Sequence, residues 1–166
     1  SDAQREAAGA IRAGFAAGKP VLLEGVTGSG KTELYCSFAC EAVAAGRDVL
    51  FLVPEIGLTR QLEDRLRKIF SSRLLTFHSH ETPSRRRHVA SEVRRGGGRV
   101  VLGTRSALFL PFDNLSLVVV DEEQDASYKQ DSPAPRYNGR DAALMLASLH
   151  GARVLLGSAT PSLESL

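Results

Sequence analysis

The stretch Val21-Leu22-Leu23-Glu24-Gly25-Val26-Thr27-Gly28-Ser29-Gly30-Lys31-Thr32 decides the fold. A short apolar run enters a glycine-rich turn, and a helical pattern begins as the turn ends. Gly25 to Thr32 matches G-x-x-x-x-G-K-[ST] in the strand-loop-helix setting that gives this pattern meaning. Phosphates concentrate negative charge. Glycines let successive backbone N–H groups curl around that charge without a Cβ in the way, and the helix N-terminus adds partial positive charge. The loop residues Gly25, Thr27, Gly28, Ser29 and Gly30 are thus candidates to cradle a nucleotide triphosphate. Lys31 is placed to reach the β- and γ-phosphates, and the Thr32 hydroxyl to bind Mg²⁺.

Working outward, apolar runs alternate with helical patterns. Val49 to Val53 stops at Pro54, Arg99 to Leu102 at Gly103, Leu117 to Val120 at Asp121, and Arg153 to Leu156 at Gly157. Leu74 to Phe77 is a weaker candidate strand. Continuous apolar strands are buried on both faces, which points to a parallel sheet. Helices are expected over Ala3 to Ala17, Lys31 to Ala45, Gly57 to Phe70, Pro83 to Arg95 and Arg140 to His150. In the third of these Leu58, Leu62, Leu66 and Ile69 share a face. Strand-helix alternation means right-handed crossovers and an α/β fold with a mostly parallel sheet and helices on both faces. Gly96-Gly97-Gly98 reads as a flexible joint, and Gln130 to Gly139 as a long loop of the functional kind.

The run Asp121-Glu122-Glu123-Gln124 follows an apolar strand, where α/β sheets bind ligands. Asp121 is expected to hold Mg²⁺, and Glu122 to orient and deprotonate an attacking water. Gly157-Ser158-Ala159-Thr160, Gly103-Thr104-Arg105-Ser106 and Pro54-Glu55-Ile56-Gly57-Leu58-Thr59 each end a strand on the same sheet edge. Thr59 and Thr104 offer hydroxyls and Arg105 a phosphate-matching fork. Taken singly, these residues read equally well as helix caps and turns.

Composition bounds the remainder. At 166 residues, 43% hydrophobic and 24% charged, the chain suits one domain and is neither disordered nor fibrous. No apolar run approaches the ~20 residues of a membrane span, and no basic-then-apolar leader is visible. The net charge of +2 neither demands nor excludes nucleic acid. Cys36 and Cys40 read as small core residues of a protein in a reducing cytoplasm. The arginines at 85, 86, 87, 94, 95 and 99 read as a solvated helix face, and His78-Ser79-His80 as a strand-end turn.

The ordered set of motifs resembles superfamily 2 helicases. Gly25–Thr32, Val53–Thr59, Gly103–Phe109, Asp121–Gln130 and Gly157–Ser165 resemble more closely the PriA family of primosomal replication-restart helicases. The resemblance implies that residues 1–166 form a single RecA-like domain, the first helicase lobe and ATP-binding domain of a longer protein. It implies ATP and Mg²⁺ as cofactors, and 3′→5′ movement on single-stranded DNA coupled to hydrolysis. It implies single-stranded and forked DNA, a second RecA-like lobe of the same chain and primosome proteins as partners. Zinc is expected only in the parent protein, outside this fragment. By the same resemblance Gln4 reads adenine, and Gln124, Ser158 and Thr160 couple hydrolysis to lobe movement. Thr59, Thr104, Arg105 and Ser106 lie on the DNA side. Tyr128, Lys129, Arg136 and Tyr137 belong to an aromatic-rich loop that senses single strands, where rings stack on bases and cations hold phosphates.

The sequence departs from that family in two places. Gln124 stands where His is usual, and Pro135 where Trp is expected. Gln keeps hydrogen-bonding capacity, so a link from Gln124 toward Thr160 is expected to survive. Two other readings stay open: another superfamily 2 DNA translocase, or a fork-binding scaffold whose nucleotide site is vestigial.

Overall fold

A computed structural model describes residues 2–24, 28–123, 128 and 138–158. Its helices are α1 (Asp2–Ala16), α2 (Gly28–Ala44), α3 (Arg60–Phe70), α4 (Pro83–Arg95) and α5 (Gly139–His150). Its strands are β1 (Val21–Leu23), β2 (Asp48–Leu52), β3 (Leu74–Phe77), β4 (Val100–Gly103), β5 (Leu115–Val120) and β6 (Arg153–Gly157). The strands form one six-stranded sheet in the order β1-β6-β5-β2-β4-β3, and every pairing is parallel. This is the expected α/β architecture.

Burial on both faces explains the apolar runs. All five residues of β2 are buried, as are all four of β4. On one face Ile11, Phe15, Leu34, Phe38, Phe51 and Val119 join a core beneath α1, α2 and α3. On the other, Leu50, Val89, Val101, Val118, Ala143 and Leu156 join a second core beneath α4 and α5. Phe15 meets Phe38 edge-to-face at 5.5 Å. Burying Ile11 and Phe15 contributes about 1.5–3 kcal/mol each, which holds α1 to the sheet.

Helix ends follow side-chain chemistry. Thr59 Oγ1 accepts from Leu62 N at 3.1 Å, so α3 starts after Thr59, not at Gly57. Glu55–Gly57 forms a separate 3₁₀ turn. With that start, Phe70, 5% exposed, completes the buried face of α3, while Ile69 is 44% exposed. The expected apolar face is therefore corrected by one position, because Leu62, Leu66 and Phe70 keep the i, i+4 spacing. Thr82 caps α4 ahead of Pro83, and Asn138 caps α5.

The triple glycine is a braced turn, not a loose joint. Gly96, Gly97 and Gly98 all have positive φ, which explains the residue type. Buried Asp48 accepts from Gly98 N at 3.1 Å and Arg99 N at 2.7 Å, and Arg73 donates to the Gly97 and Gly98 carbonyls. Cys36 lies in the core as expected, but Cys40 is exposed. His78–His80 is a strand-end turn in which His80 N donates to His78 Nδ1 at 3.1 Å.

Candidate functional site

Parallel strands deliver all their C-terminal ends to one edge, and strand order decides what meets there. β1, β6 and β5 are consecutive, so the α2 N-terminus, Ser158 and Asp121 become neighbours although far apart in sequence. Backbone hydrogen bonds lock this geometry. Asp121 N donates to Leu52 O at 2.9 Å, Glu123 N to Gly157 O at 2.8 Å, and Ser158 N to Leu23 O at 3.1 Å.

Lys31 stands at the centre. Its residue is only 3% exposed. Nζ donates to Glu122 Oε1 at 2.9 Å and to Ser158 O at 3.0 Å, and lies 3.8 Å from Asp121 Oδ1. A buried ammonium needs such partners, since desolvating an unpaired charge is costly. Glu122 has φ 50°, a left-handed backbone that a non-glycine residue adopts at a cost of about 1–3 kcal/mol. That strain sits at the acid facing Lys31.

Two tyrosines bracket Asp121. Tyr35, one turn beyond Lys31 on α2, is fully buried, and its Oη donates to Asp121 Oδ1 at 2.8 Å. Its ring meets Phe51 edge-to-face at 5.4 Å. Tyr128 Oη donates to the Asp121 carbonyl and, at 3.3 Å, to the Leu52 carbonyl. Burial raises the Asp121 carboxyl above its usual range and outweighs the opposing Tyr35 hydrogen bond and Lys31 charge, with Glu122 adding to the rise. Burial, followed by the charge of Asp121, drives the Tyr35 phenol far upward, so it remains a neutral donor.

The other expected residues fall as follows. Gln4 on α1 donates through Nε2 to Glu33 Oε2 on α2, beside the loop-bearing end of that helix. Thr32 and Thr59 line a groove of about 540 Å³ together with Gln61 and Arg65. Thr59 is exposed and serves as a helix cap. Arg105 and Ser106 are half-buried in a 3₁₀ turn, Arg105–Phe109, that follows β4. Thr104 and Tyr128 are each 1% exposed. Both were expected on the DNA side, and the structure places both side chains in the interior. The Tyr128 hydroxyl is satisfied by strand-end carbonyls. Gly139 lies so close that a Cβ there would be 3.2 Å from the Tyr128 ring. Arg140 Nη1 approaches Glu123 Oε2 at 3.2 Å, tying the start of α5 to the acidic run. Gly25, Thr27, Gln124, Lys129, Pro135, Arg136, Tyr137 and Thr160 lie outside the described residues, as do the surroundings of Gly28 and the side chain of Ser29.

Tyr35 was not anticipated. Its signal was present, since Lys31 and Tyr35 are i and i+4 on one helix and must share a face.

The DEAD/DEAH box helicase family model matches residues 1–166. The chain belongs to the DEAD/DEAH box helicases. Members of this helicase family in general use a nucleotide with Mg²⁺. Among curated helicase relatives, the chain is similar to replication restart protein PriA of Haemophilus influenzae, at 49% identity over 145 residues. It is also similar to PriA of Synechocystis sp. at 46% and of Bacillus subtilis at 43%. These matches cover 87–89% of this chain but only 17–20% of each relative, so the chain spans about a fifth of their length. The structure of RecG bound to a three-way DNA junction superposes with TM-score 0.70 and 27% identity, covering 99% of this chain and 21% of that one. The helicase MrfA bound to DNA and AMPPNP gives TM-score 0.63 at 17% identity over 95% of this chain and 23% of that chain, a likeness of fold. The helicase lobe is thus RecA-like in architecture. Among the described residues, no helix is long and apolar enough to cross a membrane.

Proposed function

We propose that this chain is the MgATP-binding motor lobe, the first RecA-like lobe, of a longer 3′→5′ DNA helicase that acts in replication restart. The observation that carries the reading is the meeting of Lys31 with Glu122 and Asp121, at 2.9 and 3.8 Å, beside the Ser158 carbonyl. Three segments far apart in sequence supply one cation, two carboxylates and one carbonyl at the strand edge from which the glycine loop leaves. The similarity to PriA supports the replication-restart role, with primosome proteins and forked or single-stranded DNA as partners.

The donor set fits the expected cofactor. A hydroxyl at Thr32 and a carboxylate at Asp121 are the hard oxygen ligands that Mg²⁺ takes, and the buried ammonium of Lys31 is a point charge suited to phosphate oxygens. Thr32 and Asp121 would hold the ion, whose chemistry there would be to neutralise negative charge on the phosphates.

The chain's own residues do the remainder. Lys31, released from Glu122 and Asp121, binds the β- and γ-phosphate oxygens. Glu122 Oε1 then becomes the base that takes a proton from the attacking water. Gln4 reads the adenine edge from α1. Ser158, whose carbonyl already touches Lys31, carries the change toward the second lobe together with Thr160 and Gln124. Thr59, Arg105 and Ser106, on the β2 and β4 side of the edge, contact the DNA strand, with Thr104 and Tyr128 acting from the interior and Lys129, Arg136 and Tyr137 from the loop. Zinc belongs to other parts of the parent protein, and the location is cytoplasmic.

The test is direct binding of a fluorescent ATP analogue with Mg²⁺ to the intact protein and to Lys31→Ala. Affinity is expected to fall at least about 10-fold, the scale of losing one charged hydrogen-bonding partner of the phosphates. Unchanged affinity would favour the scaffold reading and remove the motor assignment.

A further inference from the structure

Asp121 is held by more than the backbone of its own strand. Tyr35 Oη reaches Oδ1 at 2.8 Å from the second turn of α2, and Lys31 Nζ approaches the same oxygen at 3.8 Å from the first. The Tyr35 ring cannot swing away. It is fully buried and packed edge-on to Phe51. The path from phenol to carboxylate crosses β6 at a residue with no side chain. A Cβ on Gly157 would lie 1.5 Å from Tyr35 Oη, 2.8 Å from Cζ and 2.9 Å from Asp121 Oδ1. Three elements, α2, β6 and β5, are therefore shaped around one hydrogen bond.

We propose that Tyr35 is a positioning residue for the divalent ion, aiming the Asp121 carboxylate by pinning Oδ1. This rests on the reading of Asp121 as the ion-holding carboxylate. A carboxylate free to turn about its last torsion offers its lone pairs in many directions. One oxygen pinned by a rigid donor fixes the plane, and hence the direction in which Oδ2 is presented. Partners that orient a ligating group in this way commonly change metal affinity by about 10–100-fold when removed. Tyr35 sits on the helix that also carries Lys31 and Thr32, so one rigid element sets the phosphate-binding cation, the ion-binding hydroxyl and the aim of the carboxylate. A tyrosine present only for packing would need neither the glycine opposite nor a carboxylate partner, because a backbone carbonyl would satisfy its hydroxyl equally well.

The test measures how binding of a fluorescent ADP analogue depends on free Mg²⁺, using the intact protein and its Tyr35→Phe and Asp121→Asn variants. Tyr35→Phe keeps the ring and deletes only the hydroxyl. It is expected to raise the Mg²⁺ midpoint about 10-fold while leaving analogue affinity in EDTA within about twofold of the unmodified protein. Paramagnetic resonance of Mn²⁺ in the presence of ADP should show the matching loss of bound ion without any turnover. Asp121→Asn should shift the midpoint further. If Tyr35→Phe overlays the unmodified protein while Asp121→Asn is shifted, the positioning role is refuted and the nucleotide site stands. If Asp121→Asn also leaves the midpoint unmoved, the assignment of Asp121 fails, and the role of Tyr35 fails with it. A fall in EDTA affinity as large as that in Mg²⁺ would mark Tyr35 as purely structural.

Discussion

Tyr35 and Gly157 occupy complementary volumes: the phenolic oxygen of one fills the space where the other would carry a Cβ, 1.5 Å away. This is why a glycine ends β6. The Gly157 carbonyl also receives Glu123 N, so the same residue holds the acidic run from its backbone side.

Gly157→Ala should therefore be strongly disfavoured. The added methyl meets Tyr35 and Asp121 together, and the fully buried Tyr35 cannot retreat. Overpacking of this kind costs about 1–3 kcal/mol, and the upper end is expected here. Urea denaturation of the two proteins measures it, and equal midpoints would show that Tyr35 has room to move.

Asp121 gives a pH signature. Its carboxyl pKa is raised in the folded state, first by burial. A raised carboxyl holds its proton more tightly when folded than when unfolded. The contribution to stability is therefore neutral below the unfolded pKa, and unfavourable once pH passes the folded pKa. Stability should fall as pH rises through the window just above the ordinary aspartate value. Asp121→Asn should lack that fall. Urea midpoints between pH 4 and pH 7 decide it, and parallel profiles for both proteins would contradict it.

The two cysteines should separate in reactivity. Burial pushes the Cys36 thiol up to about 11, while Cys40 is exposed and only modestly raised. Thiolate is the reactive form, and at pH 7.5 a thiol at that value has fewer than about one molecule in a thousand ionised. Iodoacetamide followed by peptide mass analysis should find Cys40 modified well before Cys36. The reverse order would mean that α2 opens locally.

Gln4 should govern base choice. It is bonded to Glu33 and stands beside the end of α2 that carries Lys31. Gln4→Ala is expected to weaken ATP binding several-fold while leaving GTP binding nearly unchanged, since a lost hydrogen bond is worth about 0.5–1.5 kcal/mol. Competition of ATP and GTP against a fluorescent nucleotide measures the ratio. An unaltered ratio would assign Gln4 to packing alone.

Much of the fold was legible because both faces of the sheet are covered. Val49 to Val53 and Val118 to Val120 could only be buried strands, and β3 and α4 lie where their apolar runs and Pro83 place them. Thr59 was harder to read. A threonine between Leu58 and Arg60 signals a helix cap and a DNA contact equally, and the 3.1 Å bond from Leu62 N establishes the cap. The acid and lysine pairing was legible from motif and strand end. The bracketing of Asp121 by Tyr35 and Tyr128 was not, because those contacts span 86 and 7 residues and depend on how α2 packs over β5. Tyr128, assigned by resemblance to a DNA-sensing loop, has its hydroxyl drawn inward by the Asp121 and Leu52 carbonyls at the end of the sheet.

The strand that leads into the glycine loop is also the least reinforced in the sheet. β1 has three residues, borders only β6, and leaves Leu22 48% exposed, whereas the strand bearing Asp121 is flanked on both sides. One half of the proposed nucleotide site is thus mounted on a short springboard and the other on a girder. Backbone amides of β1 should trade their protons for deuterons sooner than those of β5, and a tightly held triphosphate should slow that trade chiefly at the soft side.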